Sequence, residues 1–110
     1  MTHQISLATA IDMTTRYRNN HPADYPLSET FQLSSILRLL ATPNAAFLRI
    51  YYGLQSDGKM DAILVVADSD NNDILPESNS VITTSNDDPV ILEDAFRCPP
   101  TCSPESPLNS

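Results

Sequence analysis

Two glycines and two cysteines are all that 110 residues contain, and tryptophan is missing altogether. So little glycine leaves few places for the left-handed turns that a sandwich or barrel of short strands demands, which points away from an all-β fold. Two cysteines are too few for a disulfide scaffold. A single domain of this length buries well over half of its unfolded surface and folds without one. Basic residues are scarce too, six against fourteen acids for a formal charge of −8. Nucleic-acid binding is driven mainly by lysine and arginine on phosphates, so nucleic acid and anionic membranes are excluded as expected partners. The acids recur along the chain rather than in one block, and solubility accounts for them better than nucleic-acid mimicry.

Long hydrophobic runs are absent as well. The longest, Ala62 to Ala67, is strand-sized, far short of the roughly 20 apolar residues that span a bilayer. The opening MTHQISLATA lacks the basic-then-apolar order of a secretory signal. The expected location is therefore cytoplasmic, where thiols stay reduced.

What is present reads as two helices followed by strands. Leu7, Ala10, Ile11, Thr14 and Tyr17 fall on one helical face, with Ser6 placed as an N-cap. Arg16, Arg18 and Asn19-Asn20 suit a helix end, and Pro22 stops it. A second helix is expected from Ser28, its core face formed by Leu33, Ile36, Leu37 and Leu40 and its end by Pro43. The period then changes to two. AFLRIYYG and MDAILVVAD flank Asp57-Gly58, a dipeptide suited to a two-residue hairpin turn. That loop pairs Tyr52 with Ile63 and Ile50 with Val65, in a hairpin central to the sheet. DSDNND, Asp68 to Asp73, is a second turn; Val81–Thr84 and Val90–Leu92 are expected as short strands.

The segment RIYYGLQSDGKMDAILVVADSDNNDIL, followed by CPPTCSPESPLN, resembles a group of small uncharacterised bacterial proteins. They share the order of an early helix with a TxRYR segment, an Arg-Ile-Tyr-Tyr-Gly strand, an Asp-Gly-Lys turn and a Cys-Pro-Pro-x-Cys end. The resemblance implies that the tail belongs to the protein; it implies no chemistry.

Cys98 and Cys102 are the sharpest candidates for chemistry. A thioredoxin-type pair needs two intervening residues at a helix start; here there are three, and Pro99-Pro100 oppose helix. A structural zinc site needs about four ligands, and only His3 and His21 remain to supply imidazole. A local disulfide requires the chain to turn so that the Cα atoms come within about 4.4–6.8 Å. Two reduced thiols, in a tail shaped by its prolines, fit the expected compartment better than the bridge. DSDNND matches the first alternating ligands of a calcium loop, but Asp73 stands where glycine is required and Asn79 where a bidentate glutamate is required. It reads as a solvated turn. No nucleophile–base pattern or phosphate-binding glycine loop is apparent. Arg49, flanked by Tyr51 on the central strand, is the best candidate for contact with an anionic ligand, although arginines there more often pair with an acid.

The expectation is an α+β fold: two N-terminal helices packed on a small antiparallel sheet centred on the hairpin. Residues 1–97 would form one domain and 98–110 an extended proline-rich tail. No cofactor or metal is expected. The expected function is a non-enzymatic interaction or assembly subunit, bound to a protein partner or to itself through Cys98, Pro99, Pro100, Cys102, Pro104 and Pro107. The alternative is a small-molecule or metal-binding module using the tail cysteines or the Arg49 face.

Overall fold

In a computed structural model, which describes residues 2–77 and 89–109, the chain is α+β. The first helix, α1 (Leu7–Asn20), begins where expected: Ser6 Oγ accepts a hydrogen bond from the Thr9 amide at 3.0 Å. It ends at His21, whose backbone is extended ahead of Pro22. No residue of α1 is fully buried. Its tether is Tyr17, which donates its hydroxyl proton to the Pro26 carbonyl at 2.6 Å.

The second helix starts later than its sequence suggests. Ser28 caps nothing; it opens a short strand, β1 (Ser28–Thr30), which pairs antiparallel with β5 (Phe96–Cys98). A partner some seventy positions away overrides the local capping signal, and α2 (Leu33–Leu40) follows from Gln32 with no side-chain cap. Its buried side also differs. Leu39 is 0% exposed and Ile36 packs beside it, while Leu33, Leu37 and Leu40 face outward. Its apolar residues form one broad arc opposite Ser34, Ser35 and Arg38, wider than the part that is buried, so periodicity alone does not select which side of the arc faces the core. The following turn does: Thr42 is buried and donates to the Leu39 carbonyl at 2.7 Å.

The hairpin forms where expected, but one residue out of register. β2 (Phe47–Leu54) pairs with β3 (Met60–Ala67) so that Tyr51 faces Ile63 and Ile50 faces Leu64. The Gly58 amide donates to the Gln55 carbonyl at 2.9 Å and the Gln55 amide to Lys59 at 2.8 Å. The loop is therefore Ser56-Asp57-Gly58, three residues with Gly58 left-handed at φ 87°, a common hairpin form. One residue of slip exchanges the faces of the whole strand. Leu48, Ile50 and Tyr52 share a face with Val66, Leu64 and Ala62; Arg49 and Tyr51 share the other with Val65 and Ile63. β2 lies at the edge, in the order β2-β3-β4 with β4 at Asp73–Ile74. The DSDNND turn before β4 is as expected, with the Asp68 carboxylate accepting from the Asp70 and Asn72 amides.

The core is the contact of α2 with β3. Leu39, Leu64 and Val66 are its buried centre, ringed by Phe31, Ile36, Ala45, Ala62, Ile74, Val90 and Leu92. Each fully buried side chain of this size contributes about 1.5–3 kcal/mol. The expected strand at Val90–Leu92 is reduced to a single bridge, Leu64 with Leu92; Val81–Thr84 lies outside the described residues. No helix among the described residues is long and apolar enough to cross a membrane.

Gly58 tests the hairpin. A Cβ there meets nothing within 4 Å, so only backbone conformation opposes substitution. Gly58→Val should lower stability by about 1–2 kcal/mol in denaturant titration, and Gly58→Asn, which tolerates positive φ, by clearly less. Equal midpoints for the two variants and the wild type would place the turn elsewhere.

Candidate functional site

Arg49 and Tyr51 come together, and both are engaged within the chain. Arg49 forms an ion pair with Asp73 and also donates to Asn71, while the Tyr51 hydroxyl donates to the second Asp73 oxygen. Strands β2 and β4 lie on opposite sides of β3, so this pair reaches across it, above Val65 and Ala67. Those two residues are only 2% and 0% exposed. The hydrogen bonds from Tyr51 and Arg49 hold the Asp73 carboxyl below its ordinary pKa. The anion expected for Arg49 from outside is supplied within the chain by Asp73.

The tail is folded back rather than extended. Cys98 belongs to β5, is 1% exposed, and its carbonyl accepts from the Leu27 amide at 2.8 Å, so the body of the fold runs one residue past Arg97. Cys98 and Cys102 form a disulfide, their Cα atoms 4.6 Å apart, which corrects the expectation of reduced thiols. Cis peptides precede Pro99 and Pro100, and the Thr101 amide donates back to the Arg97 carbonyl at 2.7 Å. So small a ring contributes about 2 kcal/mol in the chain-entropy account. Bridged sulfur is not the thiolate that zinc requires, and among the described residues no group of three His, Cys, Asp or Glu side chains is arranged to hold a metal ion. Pro99, Pro100, Cys102, Pro104 and Pro107 are exposed. The far end is tied down: Arg18 donates to the Leu108 carbonyl at 2.7 Å, and Asn109 folds onto Ser103 and Ser106.

Sequence reasoning missed two features. The first is a carboxyl cluster where the two sheets meet. Glu29 and Asp61 both accept from the same amide, Ala62, at 3.0 and 3.1 Å. Asp61 is 3% exposed, and Gln55 donates to its other oxygen at 3.0 Å. Glu93 completes the trio beside Asp61. Burial, then the hydrogen bond and charge of Asp61, push the Glu29 carboxyl up to about 7. Burial also raises Asp61, but hydrogen bonds from Glu29, Glu93 and Gln55 outweigh it and hold it at about 2. Within the cluster, then, Asp61 is the group that carries the charge and Glu29 the one that keeps its proton up to about pH 7. Glu29 Oε1, buried and without a nitrogen or hydroxyl partner, becomes a donor to Asp61 once protonated. Three acids far apart in sequence gave no local pattern.

The second is the open side of β2. Phe47, Leu48, Ile50, Tyr51, Tyr52 and Leu54 are each 45–73% exposed, and among the described residues no strand pairs with the outer edge of β2. Here the sequence did hold a signal: between Glu29 and Asp57 there is not one acid, in a chain with fourteen. This is the stretch that forms α2 and β2.

The carboxyl cluster sets a pH dependence. Glu29 has a folded value of about 7 against an ordinary 4.5. Its contribution to stability is therefore complete below the ordinary value and is lost as pH rises through 7. Asp61 acts oppositely, losing its contribution as pH falls from 3.8 towards 2. Melting temperature should thus decline between about pH 4.5 and 8. Glu29→Gln, which mimics the protonated side chain, should flatten that decline. Parallel profiles for the two proteins would contradict the assignment.

No described protein family, curated protein or solved structure matches the chain, so its function is read from this geometry.

Proposed function

We propose that the chain is a non-enzymatic assembly subunit that binds protein through the outer edge of β2. One observation carries the reading. An eight-residue edge strand exposes its backbone groups and six large apolar side chains within a segment free of acids. Native proteins blunt such edges with charge, proline or a covering segment, because an open one templates pairing with another strand. Here the only charge on the strand is Arg49, already neutralised by Asp73. Apolar patches of this extent on a small domain mark interaction surfaces. The proline-rich tail, first considered as the docking element, has a supporting role, since it folds back on α1 and on itself.

The rival reading, a ligand or metal module, draws less support. The tail cysteines are bridged and the Arg49 guanidinium is occupied. The bridge also fits an oxidising compartment better than the expected cytoplasm. Alkylation of the protein as it leaves the cell reads this point: protected cysteines support the bridge, and full alkylation removes it.

The function is tested in cells that produce the chain, by sizing it in native extracts. The wild type should elute well above its monomer size. Ile50→Lys/Tyr52→Lys should return it to monomer size, while Thr101→Lys, in the tail, should not. An identical elution of all three proteins would reject the β2 edge as the assembly surface.

A further inference from the structure

The backbone of β2 says which groups are open. At the hairpin mouth the Gln55 amide bonds to Lys59 at 2.8 Å, so odd-numbered residues of β2 direct their N–H and C=O groups at β3. On β3 the even-numbered Leu64 exchanges bonds of 2.8 and 3.0 Å with Leu92, on the side away from β2, which fits the same alternation. The outward N–H and C=O groups of β2 therefore belong to Leu48, Ile50, Tyr52 and Leu54. Their side chains share the sheet face that α2 covers over β3 but leaves open over β2.

We propose that the occupant of this edge is a second copy of the same chain, its β2 paired antiparallel about a two-fold axis at Tyr51. This deepens the assembly reading and rests on it. Hydrogen-bonded pairs would be Leu48 with the second copy's Leu54, and Ile50 with its Tyr52, each occurring twice by symmetry. The two three-stranded sheets become one sheet of six strands, and every cross-strand pair on the open face is apolar.

Three observations favour a copy of the chain over another protein. The strand is self-complementary in this register, with no like-charged pair facing itself. Arg49, its only charge, is held by Asp73 of its own chain and falls opposite the second copy's Gly53, which has no side chain. A chain with a formal charge of −8 approaches its own copy most easily through its acid-free stretch.

The test uses the purified full chain. Sedimentation velocity should show a monomer–dimer equilibrium, and Ile50→Lys/Tyr52→Lys should weaken it at least tenfold, because the register pairs lysine with lysine. Tyr51→Cys should oxidise to a covalent dimer, since residues at the axis lie about 4.5 Å apart in a non-hydrogen-bonded pair. Phe47→Cys should not, because its two copies are separated by roughly 27 Å of strand. A wild type that stays monomeric throughout rejects self-pairing; an enlarged, edge-dependent species in cell extracts would then still support the assembly subunit, with a different partner. A dimer that cross-links equally through Phe47→Cys, or ignores the lysine pair, rejects this register and this surface.

Discussion

The second edge of β3 is the constraint on which the rest of the molecule depends. Its first edge is satisfied by β2 along its length, but its even-numbered residues direct N–H and C=O groups the other way, and among the described residues no full strand meets them. Four separate segments do so instead. Arg97 reaches the Met60 carbonyl at 3.3 Å, Glu29 the Ala62 amide at 3.0 Å, Leu92 brackets Leu64, and Ile74 pairs with Val66. A buried backbone group without a partner costs free energy comparable to a lost hydrogen bond, so each segment is held in place by what β3 requires of it. The small β1–β5 sheet exists in this setting: Glu29 and Arg97 are cross-strand neighbours, and each extends one side chain to β3.

That arrangement explains why the carboxyl cluster tolerates its own repulsion. Ala62 offers a single N–H to two carboxyl groups, and Asp61 has the better company, with Gln55 beside it. Arg97 does not resolve the conflict by pairing with Glu29, because its Nη2 serves the Asp24 and Met60 carbonyls. A shared proton does so instead, and the joint between the two sheets loses stability as rising pH removes that proton.

How far the sequence spoke depended on the range of the interaction. The cap at Ser6, the stop at Pro22, the loop glycine Gly58 and the Asp68 turn are decided within about four residues, and each was legible. The hairpin register was decided by whether Ser56 joins the loop, a one-residue choice that Asp57-Gly58 leaves open, and that choice reversed both faces of β2. Ser28 has the chemistry of a helix cap but is a strand residue, because Cys98 lies opposite it. Of the candidate site, Arg49 and Tyr51 were visible as a strand pair, yet Asp73, which occupies them, arrives from beyond a turn. The Glu29–Asp61–Glu93 trio spans three elements and left no trace in spacing. The open edge of β2 was half visible, as a run without acids.

The piecemeal edge of β3 also orders events in time. The β2–β3 hairpin closes a loop of three residues and forms on the microsecond scale of such units. The groups that complete its other side are joined by much longer loops, whose closure entropy must be met before their contacts repay it. During synthesis Glu29 is ready early, but Leu92 and Arg97 emerge long after the hairpin they complete. Until then the nascent chain carries a hairpin with both edges bare, and that interval, rather than the finished fold, is when it is most exposed to misassembly.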